Sequence, residues 1–277
     1  MGKPYFLMKI GDGEEFNIAD KIPGLHYLGV DDASNGPQFT NNYEDVTGMD
    51  GSWFISQTFA KRTFSEKFWL HWANYDDLVL AKHDLYRLFG TRQKIRVRTD
   101  HSPYKVYYGY PTAFNISPIS PGMNDADFSI PFEVPSGVLY SLERSDQIVD
   151  PDWGMNELDG QQPAYRFTTS SFKVYNASDV KVDPYYSNHD LKVICKYSGK
   201  SLTITNQTNG STWTQNRVND GSHTVTLDGI DAYYDGTNDN VNSNGGTLSL
   251  EPGWNTFSTS GASAQTITFS FPFVYLL

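Results

Sequence analysis

Six histidines (His26, His71, His83, His101, His189 and His223) and one cysteine, Cys195, are the side chains best suited to metal or nucleophile chemistry. No two histidines stand close enough in sequence for a local metal-ligand pair. His83 falls on a predicted helix and reads as a surface group. Cys195 alternates with Leu191 and Val193, the pattern of an inward structural thiol rather than a nucleophile. Asp235, Asn238 and Asp239 in the run DGTNDN gather hard oxygen ligands of the kind calcium takes. The full calcium-loop order is missing, and a plain solvated turn is the better reading of them. No nucleophile elbow, phosphate-binding loop, H-E-x-x-H or C-x-x-C motif occurs. The expectation is therefore a protein that is not an enzyme and needs no metal or cofactor.

Two groups of residues suit non-covalent chemistry instead. Trp213, Tyr233, Tyr234 and Trp254 fall on or near predicted loops rich in Asn, Asp and Gln. Sugars are held by aromatic faces and such hydrogen-bonding groups, so these four are candidate saccharide contacts; the other reading has them closing the ends of a β-sheet core. Arg92, Lys94, Arg96 and Arg98 alternate with Gln93, Ile95, Val97 and Thr99, which in a strand puts all four cations on one face. That face is either simply solvated or meets an acidic neighbour in an assembly. Asn176 and Asn206 head glycosylation-type triplets that read as polar loops.

The elements that must position these groups are mostly strands. Phe6, Met8 and Ile10 alternate with polar and apolar neighbours before the turn Gly11-Asp12-Gly13, an opening hairpin. A longer hairpin is predicted from Gln38, its tip at 47–51, where Gly48 and Gly51 permit positive φ, and its second arm over 52–59. A strand follows from Arg62 to Trp72. One helix is predicted over 74–89, capped by Asn74, with Asp76 and Asp77 in its first turn, Leu78, Ala81, Leu85, Leu88 and Phe89 on its apolar face, and Gly90 as its stop. Further strands are expected over 104–115 and 127–134.

From 164 onward every periodic run reads as strand: Leu191 to Tyr197, Leu202 to Thr205, Val225 to Leu227, and Ile267, Phe269, Phe271 and Phe273 near the end. Asn209-Gly210 signals a two-residue hairpin. Many short strands at close spacing suggest a β-sandwich.

The chain has 277 residues, which suits two domains: 1–146, a linker at 147–163 containing DPDWG, and 164–277. One cysteine excludes an internal disulfide framework. The net charge is −11, spread as −5 over 1–146 and −6 over the rest, which argues against nucleic-acid binding as the main activity. The opening MGKPYFLMKIGDGEEF reads as no secretory signal, and no apolar run is long enough to span a membrane.

Two stretches carry a family resemblance. TGMDGSWFISQTFAKRTFSEKFWLHW, then YDDLVLAKHDLYRLFG and RQKIRVRTDHSPYKVYYGY, resembles the N-terminal domain of the distal tail proteins of siphophages that infect Gram-positive bacteria. LKVICKYSGKSLTITNQTNGSTW and LSLEPGWNTFSTSGASAQTITFSFPFVYLL resembles their C-terminal domain. The resemblance implies a mainly β chain. An N-terminal β-rich α+β ring-forming domain, with one helix and a long hairpin arm, would precede a galectin-like or carbohydrate-module-like β-sandwich. It implies a homo-hexameric ring in the virion, at the tail tip, assembled in the bacterial cytoplasm. Its partners would be the tail tube protein, the tail-associated protein and receptor-binding or baseplate proteins. DNA would pass through without specific binding, and no membrane would be engaged. Gly48, Met49, Asp50, Gly51, Trp53 and Phe54 of the hairpin, with Arg92, Lys94, Arg96 and Arg98, would meet the next subunit. The alternative is a carbohydrate-binding protein that recognises host cell-wall or capsular saccharide through the C-terminal domain.

Overall fold

The computed structural model describes residues 3–30, 36–148 and 163–276. Contacts divide the chain into two compact units, 1–139 with 276–277, and 140–275. The linker expected at 147–163 lies almost wholly outside the described residues.

In the first unit the strands are β1 (Phe6–Ile10), β2 (Phe16–Asn17), β3 (Leu25–Val30), β4 (Phe39–Glu44), β5 (Trp53–Phe59), β6 (Arg62–His71), β7 (Ile95–Thr99), β8 (Lys105–Pro111) and β9 (Asp125–Val134). One helix, α1 (Tyr75–Phe89), joins β6 to the next strand. Seven strands pair antiparallel in the order β2-β1-β7-β8-β9-β6-β3, while among the described residues β4 and β5 pair only with each other. Alternation explains the core: Phe6 and Met8, Phe64, Phe68 and Leu70, and Ala126, Phe128, Ile130 and Phe132 all point inward. Phe6 is the hub of the aromatic cluster, with ring centroids 5.2 Å from Phe68, 5.5 Å from Tyr27 and 5.9 Å from Phe132.

The helix forms as its sequence dictates. Asn74 Oδ1 accepts from the Asp77 amide at 3.0 Å, and Leu78, Leu85 and Phe89 are buried. Its end differs in one respect from the usual glycine stop: Gly90 has φ −77°, not a left-handed value. Glycine is needed there because a Cβ would lie 2.8 Å from the Tyr86 carbonyl oxygen.

The second unit contains β10 (Leu139–Arg144), β11 (Arg166–Phe167), β12 (Ser171–Asn176), β13 (Lys192–Asn206), β14 (Thr212–Gln215), β15 (Asn219–Asp220), β16 (Val225–Asp228), β17 (Asp231–Tyr234), β18 (Thr237–Asn238), β19 (Gly253–Ser270) and β20 (Pro272–Tyr275). This unit begins at 140, before the boundary expected at 146. The two runs expected as separate strands, Leu191–Tyr197 and Leu202–Thr205, are halves of the single strand β13, which pairs along its length with β19. The pairing shifts register at Gly199, where a Cβ would sit 2.6 Å from the Gly261 carbonyl oxygen. Such a bulge bends the strand, so its halves take different neighbours: β15 and β16 on the first, β14 on the second. The Asn209-Gly210 turn is also longer than predicted: Asn206 N–H donates to the Ser211 carbonyl, leaving four residues between them. Leu191, Val193, Cys195, Phe257, Ile267, Phe269, Phe271 and Phe273 are buried, and burial pushes the Cys195 thiol far up from its ordinary pKa. The chain is mainly β, as expected.

Candidate interaction site: an exposed hairpin arm

β4 and β5 form a two-stranded arm whose apolar groups face solvent. Trp53 is 61% exposed, Phe54 60% and Tyr43 57%, and Phe39, Val46, Met49 and Ile55 are exposed as well. The register explains their arrangement. Phe39 pairs with Phe59, Asn41 with Gln57, Asn42 with Ser56, and then Tyr43 with Phe54, so Ile55 is the extra residue of a bulge. The bulge brings Phe54 onto the face that already carries Phe39, Tyr43 and Phe59. Rings meet at both ends of that face, 5.6 Å for Phe39–Phe59 and 5.9 Å for Tyr43–Phe54, with Gln57 Nε2 donating to Asn41 Oδ1 at 2.9 Å between them.

The tip falls where it was predicted. Gly48 and Gly51 have φ of +87° and +79°, Met49 N–H donates to the Val46 carbonyl at 3.1 Å, and the Ser52 hydroxyl donates to Asp45. Asp50 lies exposed between the glycines. At the base, Ala60 N–H donates to the Gln38 carbonyl at 2.8 Å. Gly137, at φ +69°, comes so close that a Cβ would lie 2.2 Å from the Ala60 carbonyl oxygen.

The predicted row of four cations is only partly realised. The strand starts at Ile95, and Arg92 has φ +57°, which breaks the alternation before it. Arg96 and Arg98 do share a face, and both reach Glu15, at 3.3 Å and 2.7 Å. Burial pushes the Glu15 carboxyl up, but the hydrogen bonds and charges of Arg98 and Arg96 outweigh it and hold the group below the ordinary value. Lys94 Nζ lies 4.9 Å from the centre of the Tyr108 ring.

Of the four aromatics expected on loops, Trp213 is misplaced by that reading. It is 0% exposed, lies on β14 opposite Ile204, and its Nε1 donates to Ser243 Oγ at 3.0 Å. It is a core residue and cannot offer a face to a sugar. Tyr234 is covered too, with the Arg217 guanidinium 3.7 Å from its ring centre and the His223 ring at 5.0 Å. Tyr233 is half-buried on β17. Trp254 keeps a free face: it is 43% exposed and leans on Tyr175 at 5.0 Å. The calcium-type loop is committed elsewhere. Asp239 accepts from Gln215, from Arg217 at 2.8 Å and from Asn242 at 2.7 Å, and Asp235 accepts from His223 and the Thr224 amide.

One buried carboxylate was not anticipated. Glu66 accepts from the Tyr27 and Tyr107 hydroxyls at 2.6 Å and 2.7 Å. Burial pushes its carboxyl up, only partly offset by the two hydroxyls, and it pushes both phenols up as well. Its signal was in the sequence: Glu66 has the same parity on β6 as Phe64, Phe68 and Leu70. It lines a cleft of about 190 Å³ with Arg62, Thr99, His101 and Tyr107. That is below the ~300–1,000 Å³ of an ordinary ligand site, and Glu66 acts as a brace between β3, β6 and β8.

Residues 11–134, which include the whole arm, match the family model described as the phage tail protein RIFT-related domain. The solved structure of the SPP1 Dit protein, presented as a paradigm of hub adsorption apparatus in Gram-positive infecting phages, aligns over 97% of this chain and 99% of its own. The TM-score is 0.67 at 12% identity. Two structures of the phage p2 baseplate in its activated conformation, with Sr and with Ca, align at TM-scores of 0.45 and 0.47 with 9% and 10% identity. They cover 98% and 99% of this chain and 98% of their own. No curated protein sequence matches the chain. The resemblance to distal tail proteins holds both for the RIFT-related domain and for the fold of the whole chain.

Proposed function

We propose that this protein is a structural, non-catalytic hub of a phage tail tip. Six copies close into a ring that joins the tail tube to the tail-associated protein and to receptor-binding or baseplate proteins, and DNA passes through the ring without being specifically bound. Residues 1–146 build the ring and 164–277 form the second domain. One observation carries this reading. An arm of two strands exposes Phe39, Tyr43, Trp53, Phe54 and Ile55 and, among the described residues, pairs with no other strand. An isolated two-stranded hairpin is marginal in water, and an exposed aromatic face of this kind belongs against a partner. A ring of identical subunits needs two different patches per copy that meet head to tail. The arm is one such patch, with Gly48, Met49, Asp50 and Gly51 at its tip and Trp53 and Phe54 on its flank. The family model and the fold likeness support the same reading.

The test is the mass of the protein in solution, with negative-stain images, for the intact chain and for a variant in which 39–59 is replaced by a short Gly-Ser turn. The intact chain should form closed rings and the variant should not. An intact chain that stays monomeric at tens of micromolar would defeat the proposal. The second reading, saccharide recognition by the second domain, rests on the free face of Trp254 against Tyr175. It requires that Trp254→Ala lower affinity in a titration with host-wall polysaccharide.

A further inference from the structure

The arm carries Glu44, Asp45 and Asp50, and no Lys, Arg or His occurs between 36 and 60. An acidic aromatic arm calls for a cationic surface, and the first unit has one. On the outer face of β1, β7 and β8, Lys9 lies directly opposite Arg96, which lies opposite Tyr108; Leu7 lies opposite Arg98. Lys94 completes the patch from just before β7, over Tyr108. Glu15 neutralises one charge of Arg96 and Arg98. Lys9, Lys94 and one guanidinium remain, three positive charges on a chain of net charge −11. Lys94 is exposed and Lys9 half-exposed, and among the described residues Lys9 has no ion-pair partner.

Another exposed apolar surface of this unit, on the helix, fits less well. The helix face bearing Tyr75, Val79 and Leu80 also carries Asp76 and Asp77, and the apolar cleft beside Leu80 is edged by Asp77 and Asp84. Those carboxylates would repel the arm.

We infer that the outer face of β1, β7 and β8 is the acceptor for the arm of a second copy of this chain. This rests on the ring reading above. Lys9 and Lys94 face Glu44 and Asp50 of the incoming arm, and Trp53, which pairs with Glu44 and shares its face, lies against the cations and Tyr108, where the ring quadrupole adds to the attraction. The acceptor also gives a role to the positive charge that Glu15 leaves uncompensated within one subunit: its counter-charges come from the next.

The experiment uses two charge-reversed variants of the full chain, Lys9→Glu with Lys94→Glu, and Glu44→Lys with Asp50→Lys, and a fourth protein carrying all four changes. All sites are exposed or half-exposed, and thermal melts establish that each variant is folded. Each pair alone should raise the concentration for half-assembly by roughly tenfold or more. The four-fold variant should assemble like the wild type. An equimolar mixture of the two pairs should co-assemble, because each arm then meets a face of opposite sign. The inference fails if the wild type forms rings and the Lys9→Glu, Lys94→Glu variant does so equally well. It fails too if neither the mixture nor the four-fold variant recovers assembly. If the variant loses only affinity for a duplex DNA oligonucleotide and assembles normally, the face contacts nucleic acid and the inference is wrong. A wild type that never assembles removes the ring reading itself, and this inference with it.

Discussion

Two tryptophans of the second domain that look equivalent in the sequence should behave oppositely. Trp213 has no exposed surface and donates its indole N–H to Ser243. Truncating a buried Trp to Ala costs about 3–5 kcal/mol in transfer and cavity terms. The lost hydrogen bond adds about 1 kcal/mol. Trp254 is 43% exposed, so only about half of the ~1.5–3 kcal/mol of a fully buried large side chain is at stake, roughly 1 kcal/mol. With a urea slope of about 2 kcal/mol/M, Trp213→Ala should lower the midpoint by about 2–3 M and Trp254→Ala by about 0.5 M. Far-UV circular dichroism is the suitable probe, since fluorescence would change with the indole itself. If both substitutions moved the midpoint equally, or if Trp213→Ala left it in place, Trp213 would not be the core residue described above.

Serine at both Trp53 and Phe54 should leave the melting temperature unchanged, because both side chains are about 60% exposed in the free chain. It should weaken assembly by about 2–4 kcal/mol per interface, roughly 30- to 700-fold, as read by sedimentation across a concentration series. Glu66 has a raised pKa in the folded chain, so its contribution to stability is full below the ordinary carboxylate value of 4.5 and is lost as pH rises through the folded value. Glu66→Gln should therefore gain on the wild type with rising pH in that window, by up to about 1.4 kcal/mol per unit; parallel pH profiles would contradict this. Gly137→Ala, forced against the Ala60 carbonyl at a left-handed φ, should loosen the base of the arm. Amide exchange at Ala60 and Phe59 should accelerate, and unaltered protection there would show that the close approach carries no load. Removing 269–277 takes away Phe269, Phe271 and Phe273 and should abolish the cooperative melt of the second domain; a surviving transition would count against their place in the core.

The helix was legible because everything that defines it is local: Asn74 as cap, aspartates in the first turn, and an apolar stripe. The arm was legible for the same reason, since Gly48 and Gly51 bracket its tip. The bulge at Ile55 was not, because it exists only as a mismatch between two strands and no single strand reports it. The same holds for β13, where Gly199 looks like a gap between two strands until its partner Ala262 and the close carbonyl of Gly261 are in place. Trp213 stands close to the Asn209-Gly210 turn signal, and only its pairing with Ile204 fixes its direction into the core. Glu66 hid behind its charge, although Phe64 and Phe68 on either side already fixed the direction of its side chain. In the basic strand, composition suggested four equivalent cations; the backbone excludes Arg92, and Glu15, from a distant turn, claims part of the rest.

The single cysteine has a practical consequence. Cys195 lies at the centre of the second domain with its sulfur sealed from water and its ionisation suppressed. A thiol reagent can reach it only while that domain is open, so the labelling rate clocks the opening of this domain alone, without any engineered probe. Followed with the protein dilute and concentrated, the same clock would show whether the proposed assembly slows that opening.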